Sequence, residues 1–239
     1  MDWDNSPHLS EDAKKSILAS IPPWQRASRT QGIPQLGAGA IFTVPEQDFV
    51  VNPVPLEQHW PRCFALDVGW KINAVLFGAI DRDSEVLYIY DEIYKSQKEP
   101  AIIAAAIKAK GSWIPGVIDP ASRGRSQKDG SRLIEIYGRD LELDIRPAIN
   151  AVEAGLAKVW ERLSEGRIKV FVTCQNFLAE YRLYRRDMNG KVVKANDHLM
   201  DCMRYMVMGG MDRAIQEPNR NPNAKHWYDW SPKYDVFVG

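Results

Sequence analysis

Three apolar runs, residues 63–68, 73–80 and 86–94, follow one another with only the turn signals "GWK" and "DRDS" between them. Runs of this length, rich in aliphatic and aromatic side chains, read as strands. Connections this short join consecutive strands in antiparallel fashion. The pattern then changes. "EPAIIAAAIKAKG" (99–111) is alanine-rich and closes on Gly111, as a helix does. "WIPGVIDP" is a short strand that runs into Asp119 and is stopped by Pro120. "KDGSRLIEIYG" reads as a second helix and "LELDIRPA" as a strand. Asn150 and Glu153 form a box-like cap for a third helix. Its apolar positions Val152, Leu156, Val159, Trp160 and Leu163 recur at helical spacing up to Gly166. "IKVFVT" is a strand and "QNFLAEYRLYRR" a helix. Asn189-Gly190 signals a hairpin. A final helix spans 196–213 with Leu199, Met203, Met206 and Val207 along one stripe. A meander followed by alternating strands and helices specifies an α/β domain with a mixed sheet.

A chain of 239 residues suits one large domain with extensions, or two small ones. Residues 1–55 lack a compact pattern: Ser10 caps a short helix ended by Pro22-Pro23, and a glycine-rich passage, "GIPQLGAGAIF", follows. "GAGAI" lacks the lysine and Ser/Thr of a phosphate loop. Residues 215–239 are polar and proline-containing, with Trp227, Tyr228 and Trp230, and read as a flexible or interacting tail. No apolar run is long enough for a membrane span, and the polar, acidic N-terminus is no signal peptide. Cys63, Cys174 and Cys202 are scattered, which argues for reduced thiols rather than disulfides or a zinc site. Formal charge is zero, so tight non-specific nucleic-acid binding is not written into the whole chain. Two segments are locally basic: 121–132, with Arg123, Arg125 and Lys128, and 180–194, with Lys191 and Lys194.

Against this background the acids stand out. Asp67 interrupts an apolar strand, where a charge is costly unless something pairs with it. Asp119 ends the fourth strand. Asp197 and Asp201 lie four apart on the last helix, on one face, with His198 beside them. If the first and fourth strands are neighbours, Asp67 and Asp119 approach each other, and the last helix delivers a further acid. Converging carboxylates repel, and oxygen-only ligation suits Mg2+ or Mn2+ rather than zinc. Two such ions activate a water and stabilise the leaving oxygen of a phosphodiester. Plainer roles fit each residue alone. Asp67 pairs with Lys71, Asp119 is a turn residue, Asp197 caps the helix beside a surface Asp201, and His198 is structural.

The segments "FALDVGWKINAVLFGAI", "LYIYDEIYKS", "GVIDPAS" and "NDHLMDCMRYMVMGG" resemble the C-terminal nuclease domain of the tailed-phage terminase large subunit. The likeness covers about residues 60–213, and the first 50 residues resemble the linker from the packaging ATPase to the nuclease. It implies a ribonuclease H-like fold, a mixed β-sheet with helices on both faces. The division it suggests is a linker-like segment at 1–55, a nuclease domain at 56–214 and a tail at 215–239. It also implies a metal-dependent endonuclease that cuts concatemeric DNA during packaging in the host cytoplasm. The family acids fall on Asp67, Asp119 and Asp201, with His198 beside the third and Asp197 a less secure metal ligand. Two Mg2+ or Mn2+ ions are the expected cofactors. Arg123, Arg125, Lys128, Lys191 and Lys194 are the expected DNA contacts. Expected partners are double-stranded DNA, portal protein, the small terminase subunit and a packaging ATPase domain, whose Walker motifs this sequence lacks. A junction resolvase or transposase-like nuclease of the same fold, and a non-catalytic DNA- or portal-binding module, are the competing readings.

Overall fold

The meander forms as expected, as β2 (Arg62–Val68), β3 (Ile72–Asp81) and β4 (Val86–Ser96), and it is the centre of a seven-stranded mixed sheet. The computed structural model describes residues 39–69, 71–124 and 132–218. The other strands are β1 (Val50–Val51), β5 (Gly116–Ile118), β6 (Ile145–Pro147) and β7 (Ile168–Phe171), in the spatial order β1-β7-β4-β3-β2-β5-β6. β5 and β6 continue the sheet in parallel from β2, and β7 and β1 in parallel from β4. β3 lies between two partners, and every residue inside its ends is buried, so its sequence is continuously apolar rather than alternating.

Helices cover both faces. Their ranges are α1 (Glu46–Phe49), α2 (Pro100–Gly111), α3 (Leu133–Glu135, running into a π-turn at Ile136–Asp140), α4 (Val152–Ser164), α5 (Gln175–Leu183) and α6 (His198–Tyr205). After α6 the helix widens into a π-turn at Met206–Gly210 and tightens at Met211–Arg213. Strand parity sorts the core. Phe64, Leu66, Val75 and Phe77 pack with Ile103 and Ile107 of α2 and with Tyr137. Cys63, Ala65, Ala74 and Leu76 pack with Leu156 and Val159 of α4, Phe177 and Leu178 of α5, and Leu199, Cys202 and Met203 of α6. Close approach of α6 needs small partners. A Cβ on Gly78 would stand 2.5 Å from Met206 Sδ, and one on Gly155 of α4 would stand 2.5 Å from Arg204 Cγ.

Several local expectations are corrected. Asn150 does not cap α4. Ala151 precedes the helix without a side-chain cap, and Glu153 instead binds Arg186, with contacts of 2.6 and 3.0 Å. The Asn189-Gly190 turn is present, but only Gly190 takes a positive φ (+78°), and its N–H donates to Asp187 O. Asp187 Oδ1 accepts from the N–H groups of Asn189 and Lys191, which closes the turn around an aspartate. "LELDIRPA" pairs only at Ile145–Pro147. Helix α3 begins at Leu133, and the earlier part of the helix expected from Lys128 lies outside the described residues. So do the Ser10 helix and most of the tail. Within the linker-like segment, Ile41, Phe42 and Phe49 are fully or nearly buried in the domain core and Val50–Val51 is an edge strand. No helix among the described residues is long and apolar enough to cross a membrane. Cys63, Cys174 and Cys202 are buried free thiols, and burial pushes the Cys63 and Cys174 thiols up to about 12.

Candidate active site

Backbone register brings the two strand acids together. β2 and β5 run parallel, with Leu66 opposite Ile118, and Asp119 N–H donates to Leu66 O at 2.9 Å. Asp67 follows Cys63 and Ala65 in parity, and Asp119 follows Val117, so both belong to the face that α6 covers. The side chains confirm this. His198 Nδ1 lies 2.7 Å from Asp67 Oδ2, and Tyr205 OH donates to Asp119 Oδ1 at 3.1 Å. His198 opens α6 and Tyr205 ends it, so one helix of two turns spans both strand ends. Asp119 Oδ1 also accepts from Ala121 N–H, the turn role, and Pro120 starts the short 3-10 turn through Arg123. The turn role and the site role therefore coexist in Asp119.

Asp201 projects from α6, is 8% exposed, and is held by two cations. Arg204 Nη2 and Nε contact Oδ1 at 2.9 and 3.3 Å, and Lys194 Nζ contacts Oδ2 at 2.9 Å. Lys194 also forms an ion pair with Asp197 Oδ2 at 3.0 Å. Asp197 is 7% exposed and does not cap α6, contrary to the sequence reading. The cap comes from α5. Glu180, 3% exposed, accepts the Leu199 N–H at 2.6 Å and the Tyr94 hydroxyl at 2.9 Å. Asp67 is partnered by His198 rather than Lys71.

The electrostatics follow from these pairings. Burial pushes the Asp67 carboxyl above its ordinary value. The His198 bond opposes this, and the charges of Asp201 and Asp119 add to it. The bond to Asp67 raises the His198 pKa, against the effect of burial. Burial raises Glu180. Burial works against the Lys194 ammonium, but Asp201 and Asp197 outweigh it and hold its pKa above the ordinary value. The donor set is therefore three mutually repelling carboxylates with an imidazole and no thiolate, which suits a hard divalent cation. Among the described residues, no three His, Cys, Asp or Glu side chains converge closely enough to hold an ion. Each carboxylate is drawn onto a protein donor instead. The fit lies in the chemistry of the donors and in their shared neighbourhood.

The structure thus sets Asp67 and Asp119 at neighbouring ends of β2 and β5, and Asp201, His198 and Asp197 on or just before the helix that spans them. Of the expected DNA contacts, Lys194 points into the acids, and Lys191 lies on the exposed hairpin. Arg123 closes the turn after Asp119, and Arg125 and Lys128 lie outside the described residues. Sequence reasoning missed Glu180, Tyr94, Arg204 and Tyr205. The signal for Glu180 and Arg204 was a lone charge set among the apolar positions of a helix.

A family model described as a terminase RNaseH-like domain matches residues 65–209. The terminase large subunit of Salmonella phage P22 is 33% identical over 227 residues, which is 91% of this chain and 45% of that protein. The terminase large subunit of Enterobacteria phage LP7 is 34% identical over 222 residues, 89% of this chain and 46% of that one. The chain spans about half the length of these curated relatives. The solved P22 large terminase nuclease domain superposes with a TM-score of 0.68 at 31% identity, covering 75% of this chain and 96% of that one. The large terminase nuclease domain of bacteriophage SPP1, solved with bound Mn, gives a TM-score of 0.53 at 17% identity, covering 72% and 99%. This last likeness is one of fold.

Proposed function

The chain belongs to the terminase RNase H-like domain family, and from that membership we propose that it is a divalent-metal-dependent endodeoxyribonuclease that cuts concatemeric viral DNA during genome packaging. The observation that carries the reading is the register of β2 against β5, which sets Asp67 beside Asp119 under a helix bearing Asp201 and His198. Asp67, Asp119 and Asp201 would hold Mg2+ or Mn2+, two ions in the full reading, with Asp197 a further candidate. When bound, the metal supplies an activated water and neutralises the leaving oxygen of the phosphodiester. The bound Mn of the SPP1 domain supports this choice of ion.

The protein's own residues do the rest. His198 turns the Asp67 carboxylate by gripping one oxygen. Tyr205 and the Ala121 N–H fix the rotamer of Asp119. Glu180 and Tyr94 anchor the first turn of α6, which sets the position of His198 and Asp201. Arg123, Arg125, Lys128 and Lys191 would contact the DNA backbone, a sequence-blind and salt-sensitive interaction. The proposed unit is the nuclease domain at 56–214 together with the part of the linker-like segment that packs into it, Ile41 to Val51, followed by a tail. Its partners would be double-stranded DNA, a packaging ATPase domain, portal protein and the small terminase subunit, in the host cytoplasm.

Plasmid nicking with Mg2+, Mn2+ and chelator tests the reading. Cleavage that needs the ion and disappears in Asp67→Asn supports it. Metal-independent cleavage, or none from wild type joined to its packaging partners, rejects it. A strong preference for four-way junctions over linear duplex would point to a resolvase.

A further inference from the structure

We propose that Lys194 is an internal counter-ion that reserves one oxygen of Asp201, and that a divalent cation displaces it, freeing a basic side chain for DNA. The inference rests on the nuclease reading above and specifies how the site exchanges its cations.

The two oxygens of Asp201 are held in different ways. Oδ1 belongs to Arg204, which is 1% exposed and lies over the Tyr205 ring, 4.5 Å from its centroid. Arg204 runs along a notch that exists because residue 155 is glycine, and any Cβ there would strike its side chain. That guanidinium has nowhere to go. Oδ2 belongs to Lys194, whose side chain is 60% exposed. Lys194 lies on the segment between the 186–192 hairpin and α6, outside any helix or strand. It has four rotatable bonds and a second acceptor, Asp197, 3.0 Å away. The ammonium therefore leaves Oδ2 without losing every partner.

An ammonium and a divalent cation repel strongly at the few ångströms that would separate them on one carboxylate oxygen. Occupancy of Oδ2 is thus exclusive: lysine or metal. Arg204 stays in both cases and keeps the carboxylate aimed. Lys194 is a positioning residue in this scheme. It offsets the repulsion of Asp201 by Asp67 and Asp119 while no metal is bound, and it sets the metal concentration at which the site fills. Once displaced, its charge becomes available to a phosphate.

Mn2+ titration by calorimetry, on the full chain at low ionic strength, tests this with no cleavage readout. Wild type, Lys194→Met, Lys194→Gln and Asp201→Asn are compared, with thermal melts checking that each is folded. Both lysine variants are expected to bind Mn2+ about tenfold more tightly, a gain that added salt reduces. The same variants are expected to bind a short DNA duplex more weakly in Ca2+, so the two affinities move in opposite directions. A lysine that only supports the loop would lower both or neither. Unchanged or weaker Mn2+ binding in both lysine variants, with binding lost in Asp201→Asn, overturns the inference and leaves the nuclease reading standing. Failure of every protein, wild type included, to take up Mn2+ removes the nuclease reading and the inference with it.

Discussion

The strand ends and the final helix hold their acids by opposite means. Asp67 and Asp119 are fixed by main chain: adjacent parallel strands, a ladder hydrogen bond and a shared side of the sheet. Their side-chain partners are one histidine, a phenol and one backbone N–H, less counter-charge for two acids than Asp201 alone receives. Asp197 and Asp201 are fixed by charge. Two cations neutralise Asp201, and one of them bridges to Asp197. Position set by backbone needs no counter-charge and so leaves the carboxylates reactive. Position set by counter-charge ties reactivity to the release of a cation.

The largest expected effects fall on the strand pair. Asp67→Asn and Asp119→Asn should each lower Mn2+-dependent plasmid cleavage by at least about 10²-fold while the fold persists, because neither acid's place depends on its charge. A melting temperature several degrees lower in either variant would break the contrast. Asp67→Asn should melt no lower than wild type, since it removes a buried carboxylate that burial already disfavours.

Asp201→Asn should also abolish cleavage, but at a cost in stability. Arg204 would keep a buried charge with a weaker partner, and its Nη1 already lacks a hydrogen bond. Losing one member of such a pair costs about 3 kcal/mol, and urea unfolding would measure it. Equal stability of Asp201→Asn and wild type would mean that the helix acids, too, are held by backbone.

A smaller effect is expected for His198→Ala, and it depends on pH. The folded His198 pKa lies above its ordinary 6.5, so its stabilising contribution is complete below pH 6.5 and is lost as pH rises through the raised value. The melting deficit of His198→Ala should therefore shrink on going from pH 6.5 upward. A deficit that grows with pH would show that the imidazole is held neutral. Cleavage should be reduced without being abolished, if the imidazole acts by orienting Asp67.

Asp197→Asn should have the smallest effect, retaining substantial cleavage and losing under about 1 kcal/mol, because its partner Lys194 is mostly exposed and keeps Asp201. Full inactivation of this variant, beside an active Asp201→Asn, would move the third acid one turn earlier.

The same contrast explains what was legible in the sequence. Strand alternation and turn signals are local, so β2, β3 and β4 followed from pattern, whereas the approach of Asp67 to Asp119 hung on the pairing of β2 with β5. The cap of α6 did not follow from pattern. The local rule points to Asp197, but that residue sits at φ −123°, ψ 9°, away from the extended backbone that lets a capping side chain fold back. Glu180 arrives from α5 and takes the Leu199 N–H. Nothing within a few residues of α6 encodes that contact. Likewise nothing near Arg204 in the sequence shows that Gly155 of another helix makes room for it.

The bond from Asp119 N–H to Leu66 O offers a built-in gauge. An amide in a ladder exchanges its proton with solvent only when the strands part. Deuterium uptake at residue 119 therefore times the opening of β2 from β5, the event that would pull the two strand acids apart. Slow uptake there, beside fast uptake along the 194–198 approach to α6, would describe a site with one rigid wall and one breathing wall in a single spectrum.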